Sequence, residues 1–325
     1  MKEIVWGSLG CGNVMEVKSG PALQNVEHSQ LHAVMRRNGS LAKDFATRHK
    51  VPKWYAHAEE LVHDSKVNAI YIATPPNTHL SYTKLAASAG KPVYVEKPMA
   101  NSHGECLEMI KVCEDNKVPL FVAYYRRALP RFLKVKSILD SGILGTIQEV
   151  NIQLLYKAKS IDIEGQYNWR VIPEIAGCGY FCDLGSHIID LLQFFLGDIR
   201  TATGTLHKPG KYYQAEDRVE AHLEFENGVI GRGLWDFDAG ENFDRTEIIG
   251  SAGSVSYTHF SEANVSFKTK SGLDNFEIPN PLHIQQPLVQ LMVNELRGVG
   301  ICPSNGVSAA RTNWVMDQIL GRGDL

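Results

Sequence analysis

No part of this 325-residue chain carries a marked excess of one charge. Its net charge is −3, and no lysine- or arginine-rich run leaves a footprint for nucleic acid. Uninterrupted apolar runs stay short of the ~18 residues that suggest a membrane span. The opening residues, Met1-Lys2-Glu3-Ile4-Val5-Trp6-Gly7, lead straight into an apolar strand. They lack the cationic segment, long apolar stretch and small-residue cleavage site of a secretory signal. The six cysteines, Cys11, Cys106, Cys113, Cys178, Cys182 and Cys302, include no C-x-x-C pair. They read as small buried hydrophobes in a reducing compartment, which predicts a cytoplasmic protein. Cys178, Cys182, Asp183 and His187 match no standard zinc module, so no metal is expected. The chain also has no internal repeat, no G-x-S-x-G elbow and no Walker loop.

What is present is an ordinary globular composition, 44% hydrophobic and 21% charged, long enough for two domains at ~150 residues each. Strand and helix signals alternate through about Ala123. Glu3 to Leu9 reads as a strand, followed by a glycine turn and a helix to about Gln24. Strands follow at Gln30 to Met35, Asn68 to Ala73, Val93 to Val95 and Pro119 to Ala123, with helices between them. Asn77 is placed to cap the helix after Pro75-Pro76. This alternation predicts a doubly wound parallel sheet. Beyond Ala123 the segments lengthen and hairpin signals appear, Glu226-Asn227-Gly228 being the clearest. The expected architecture is α/β: residues 1–123 form a dinucleotide-binding domain of Rossmann type. Residues 124–325 form an α+β domain, for substrate and oligomerisation, on a mostly antiparallel sheet.

Gly7-Ser-Leu-Gly10-Cys-Gly12-Asn13-Val14 lies between the first strand and first helix. Gly10 permits a tight turn, and Gly12 lets backbone approach a pyrophosphate. Met15 stands where a third small residue is usual. No carboxylate follows the second strand to bind a ribose 2′-hydroxyl. Arg36 and Arg37 stand there instead and could hold a 2′-phosphate, so NADP is preferred over NAD. Thr74, Pro75, Asn77 and His79 form a turn at a strand's carboxyl end, where open α/β sheets bind ligands. Glu96-Lys97-Pro98 ends the strand after that. Glu96 could touch cofactor, and Lys97 could fix or deprotonate a substrate hydroxyl.

Asp183, His187 and Asp190 fall within about a 60° arc of one ideal helix, beside an apolar stripe. His187 is the natural proton donor or acceptor. Asp183 either orients that imidazole, binds a hydroxyl or simply caps the helix. Tyr124, Tyr125, Arg126, Arg127, Tyr156, Trp169, Arg170 and Trp235 are plausible pocket residues, with core packing equally reasonable for the aromatics.

Together, the first-turn G-x-G, Thr74 to His79, Glu96-Lys97-Pro98, Trp169-Arg170 and Asp183-x-Gly-x-His187-x-x-Asp190 resemble the glucose–fructose oxidoreductase/inositol dehydrogenase family over nearly the whole chain. The resemblance implies a Rossmann domain followed by an open, mostly antiparallel sheet that forms a homodimer or homotetramer interface. It implies a cis Lys97–Pro98 peptide, Lys97 and His187 as the catalytic pair, and Asp183 as their orienting partner. Trp169, Arg170, Asp183, His187 and Lys97 then face the substrate: a sugar, polyol, inositol or cyclic diol oxidised or reduced at a secondary carbinol. A nucleotide-binding sensor and an NAD-dependent glycosidase are the alternatives on the same fold.

Overall fold

The computed structural model describes residues 3–166, 168–207 and 209–323. The chain forms two compact units. One comprises the chain up to Leu129 together with Pro281–Ala310, the other Pro130–Asn280 together with the residues from Arg311 onward.

The first unit is built on six parallel strands, β1 (Ile4–Leu9), β2 (Ser29–Met35), β3 (Lys53–Tyr55), β4 (Ala69–Ile72), β5 (Val93–Val95) and β6 (Leu120–Val122). Their order is β3-β2-β1-β4-β5-β6. All four residues of β4 and all three of β5 are buried, as the continuous apolar runs demand of strands covered on both faces. Helix His103–Asp115 brings Cys106, Met109 and Cys113 into the same core. Its start is legible in the sequence: Ser102 accepts from the Glu105 backbone N–H, while the Glu105 side chain accepts from Asn101, a variant of the reciprocal cap. The strand order reverses between β1 and β4, which opens a crevice at their carboxyl ends.

Local structure departs from expectation in several places. The first helix is two short ones, Asn13–Val17 and Ser19–Asn25, broken at Lys18. Asn77 does not cap the helix after the prolines. A 3₁₀ turn, Pro76–Thr78, intervenes before helix His79–Ser88, so Thr78 takes the cap position with no side-chain cap bond. Strand β3 escapes the sequence because three residues, largely exposed, carry no readable period.

The second unit is an eight-stranded sheet of β7 (Ile147–Leu155), β8 (Ile199–His207), β9 (Arg218–Phe225), β10 (Ile230–Asp236), β11 (Phe243–Gly250), β12 (Gly253–Tyr257), β13 (Val265–Thr269) and β14 (Gly272–Phe276). Its order is β14-β13-β12-β11-β7-β10-β9-β8. Every pairing is antiparallel except β7 with β10. The β9–β10 hairpin turns at Asn227-Gly228 as expected, with Gly228 at φ 86°. The mostly exposed edge strands β8 and β14 have no apolar alternation to reveal them. Helix Ser186–Leu196 buries Ile188, Ile189, Leu191, Leu192 and Phe195. Among the described residues, no helix is long and apolar enough to cross a membrane.

Candidate active site

In the first unit the glycine turn sits where the strand order reverses. The Gly10 N–H donates to Met35 O at 3.0 Å, and Ala73 N–H donates to Leu9 O at 2.8 Å, tying together the ends of β1, β2 and β4. Gly10 has φ 97°, and a Cβ there would lie 2.6 Å from Ala73 O. Gly12, by contrast, precedes helix Asn13–Val17, and a Cβ on it would meet nothing within 4 Å. That open ground at a helix start, reached by backbone N–H groups, fits a pyrophosphate. Met15 does not obstruct it. Its side chain is fully buried, with Sδ accepting from Ser8 and Ser19.

The two glycines therefore predict opposite phenotypes. Gly10→Ala should destabilise the fold by ~1–3 kcal/mol from backbone strain alone. Gly12→Val should leave thermal unfolding nearly unchanged yet weaken nucleotide binding at least tenfold. Calorimetric unfolding and NADPH fluorescence titration measure the two effects; an unstable Gly12→Val with undiminished affinity would contradict the assignment.

Arg36 and Arg37 are exposed just past β2, and Asn38 caps helix Gly39–Arg48 by accepting from Ser40 and Leu41. Burial pushes the Cys11 thiol up to about 11, with the Arg36 charge working against it. Thr74 and Pro75 are half-buried and Asn77 is exposed. His79 lies beneath that turn, fully buried. Its ring meets Thr74 O at 2.9 Å on one nitrogen, and Met99 O at 3.1 Å and Pro98 O at 3.2 Å on the other. Burial lowers its pKa, opposed by those carbonyls. The ring thus braces the Thr74 turn against the loop carrying Lys97.

The Lys97–Pro98 peptide is cis. Behind it is a buried network that the sequence hid. Glu96, 8% exposed, accepts from Tyr71 OH at 2.6 Å and Gln285 Nε2 at 2.7 Å, while Tyr94 OH donates to Gln285 Oε1. The rings of Tyr71 and Tyr94 stack at 4.9 Å. A buried carboxylate satisfied by such donors fixes the end of β5. Tyr125 opens the turn after β6, which is paired with β5. Burial pushes its phenol up, but the charges of Arg126, Lys18 and Lys97 outweigh this and bring it below the usual tyrosine value. Three basic side chains, Arg126, Lys18 and Lys97, therefore act on the Tyr125 phenol.

In the second unit Phe181–Gly185 winds as a π-helix before helix Ser186–Leu196. The 100° phase used for Asp183, His187 and Asp190 does not hold across that stretch. Wide turns of this kind recur at functional sites. Asp183 is inside the winding, not at its cap, and its Oδ2 accepts from Arg170 Nε at 3.2 Å. Arg170 in turn stacks on Trp169, 4.4 Å from the ring centroid. His187 is 3% exposed, edge-on to Phe260. Asp190 leaves the polar line: it is 1% exposed and accepts from Thr312. Trp235 belongs to the core, packed edge-to-face on Phe181. Lys159 had no sequence signal. Much of its stem is exposed, but its amine lies 3.7 Å from the Tyr180 ring centroid. Burial of that end lowers its pKa, with the Asp183 carboxylate acting in the opposite direction.

The cysteine expectation needs correction. Cys178 and Cys182 form a disulfide, whereas Cys11, Cys106, Cys113 and Cys302 are free and buried. Cys178 lies in the bend before the Phe181–Gly185 winding and Cys182 within it, and their Cα atoms stand 5.5 Å apart, within bonding range. Among the described residues no cluster of three or more His, Cys, Asp or Glu is placed to hold a metal ion.

Comparison with known proteins places these features. A model described as an oxidoreductase family with an NAD-binding Rossmann fold matches residues 4–124, and a GFO/IDH/MocA C-terminal domain model matches residues 132–256. Oxidoreductase P35 of Formosa agariphila is 37% identical over 319 residues, 98% of each chain. Trans-1,2-dihydrobenzene-1,2-diol dehydrogenase of Bos taurus is 30% identical over 213 residues, 64% of this chain and 60% of that protein. A levoglucosan dehydrogenase solved with NADH and L-sorbose superposes with a TM-score of 0.87 at 21% identity, covering 99% of this chain and 97% of that one.

Proposed function

The chain belongs to the GFO/IDH/MocA family of NAD(P)-dependent oxidoreductases, and on that premise we propose that it oxidises or reduces a secondary carbinol or carbonyl of a sugar, polyol, inositol or cyclic diol. The observation that carries this reading is Asp183, fixed by Arg170 and set one turn ahead of the buried His187. A nicotinamide dinucleotide, when bound, supplies the hydride acceptor or donor. Gly10, Gly12, Asn13 and Val14 would hold its pyrophosphate, Arg36 and Arg37 a 2′-phosphate, and Thr74, Pro75 and Asn77 its ribose side. His79 and Glu96 position the loops rather than touch the ligand.

In the oxidative direction Lys97 and His187 relieve the hydroxyl of its proton. The hydroxyl's single proton passes to Lys97 and from there to His187, its final acceptor. Asp183 holds the imidazole or a neighbouring hydroxyl, while Trp169 and Arg170 shape the substrate side. Trans-1,2-dihydrobenzene-1,2-diol and levoglucosan, named for the two dehydrogenases above, are both compact cyclic alcohols and support the substrate class.

The test is a fluorescence titration with NADH and NADPH, followed by a sugar and polyol screen with the tighter binder, read by nicotinamide absorbance. Turnover of at least one cyclic alcohol is expected; tight nucleotide binding without turnover across the panel would favour a sensor instead. We also propose that copies assemble through the eight-stranded sheet, on which Ile230, Phe243 and Leu273 are exposed. Light scattering should give a dimer or tetramer that Ile230→Lys with Phe243→Lys dissociates; a monomeric wild-type protein would refute this.

A further inference from the structure

In the second unit, described residues between Asp162 and Glu174 and the Tyr212-Tyr213-Gln214 stretch line a cleft of about 250 Å³. At ~30 Å³ per water it holds roughly eight waters, too few for a nucleotide and enough for one sugar ring. Val171, Ile172 and Pro173 contribute apolar lining. Apart from Gly165, the other lining residues carry polar groups. Asp162 is 4% exposed and accepts from Tyr180 OH at 2.6 Å and Asn168 Nδ2 at 3.0 Å. Those two neutral donors leave lone pairs on the carboxylate open to a further hydroxyl. The Tyr213 hydroxyl is buried without a hydrogen-bond partner among the described residues, an arrangement that calls for an explanation. Gln214 adds an exposed amide.

Among its described lining residues the cleft has two carboxylates, Asp162 and Glu174, and no lysine or arginine. Phosphate, sulfate or uronate groups are therefore disfavoured. A lining that combines apolar side chains with carboxylate, phenol and amide groups matches an uncharged pyranose, which carries both C–H surface and hydroxyls. The cleft is coupled to Asp183 through short links. The Asn168 side chain accepts from Arg170 N–H, and the Arg170 guanidinium holds Asp183.

We propose that this cleft is a subsite for a second, uncharged sugar ring, so that the preferred substrate is a disaccharide or glycoside rather than a free monosaccharide. The proposal deepens the reading above and rests on Asp183 binding the ring that reacts. Tyr213 and Gln214 are then specificity-determining residues that touch only the distal ring.

The NADP⁺-loaded protein is titrated by calorimetry with glucose, galactose and xylose and with cellobiose, lactose, maltose and xylobiose, and turnover is followed by nicotinamide absorbance. At least one disaccharide should bind about tenfold more tightly than its parent monosaccharide. Tyr213→Phe removes a hydroxyl with no partner among the described residues and should raise that disaccharide's Kd about five- to tenfold, leaving the monosaccharide's Kd unchanged. Gln214→Ala, at an exposed position, should act in the same direction. A panel in which no disaccharide outbinds its monosaccharide overturns the subsite, as does a Tyr213→Phe variant that affects both classes equally or neither. A disaccharide that binds through Tyr213 but never reduces NADP⁺ supports the subsite and refutes the dehydrogenase reading, so the two failures are distinguishable.

Discussion

Lys97→Ala and His187→Ala should each lower kcat by about 10²–10⁴-fold, the typical contribution of a positioned acid–base group, while the Kd for NADPH changes less than about threefold. This is the largest effect expected in the molecule. Lys97 is half-exposed at the end of a strand braced by the Glu96 network, and His187 is buried on a helix of its own unit. Neither side chain should therefore be needed to form the nucleotide turn. On the proposal that the two groups serve one proton transfer, the double variant should lose little more than the worse single one. Lys97→Arg restores charge but cannot give up a proton, and should remain as slow as alanine. Steady-state kinetics on the best substrate of the screen, with NADPH titration as control, decide the matter. Full turnover in both alanine variants would end the assignment.

The next largest effect concerns nucleotide choice. Replacing Arg36 and Arg37 together with alanine should weaken NADPH binding about 100-fold, since each charge-assisted hydrogen bond contributes roughly 1.5–3 kcal/mol and exposure reduces this to the lower end. NADH, which lacks the 2′-phosphate, should lose less than about threefold. Each single variant should lose part of that affinity. Asn38 and the helix it caps are untouched by these substitutions, so the melting temperature serves as an internal control. Equal losses for both nucleotides, or none, would show the guanidiniums to be solvated surface charges.

The parts that could be read from the sequence are those whose cause is local. Gly10 and Gly228 adopt positive φ where turns were expected, because a residue without Cβ is the inexpensive way to make those bends. Buried runs such as Ala69–Ile72 announce parallel strands by their unbroken apolarity. Ser102 and Glu105 announce a helix start. The family motifs are similarly short: Glu96-Lys97-Pro98 and the Asp183 to His187 spacing lie within single turns.

Those features determined the α/β class, the alternation of strands and helices in the first part of the chain, the glycine turn and the family. Only the tertiary structure decided what surrounds the chemistry. It joined Glu96 to Gln285, 189 residues away, aimed Arg170 at Asp183, withdrew Asp190 to Thr312, bonded Cys178 to Cys182 and grouped Asp162, Asn168 and Tyr180. Partnerships of this kind arise because a buried polar group takes whichever donor the fold brings within 3 Å or so, and that proximity leaves no period, cap or turn signature along the chain.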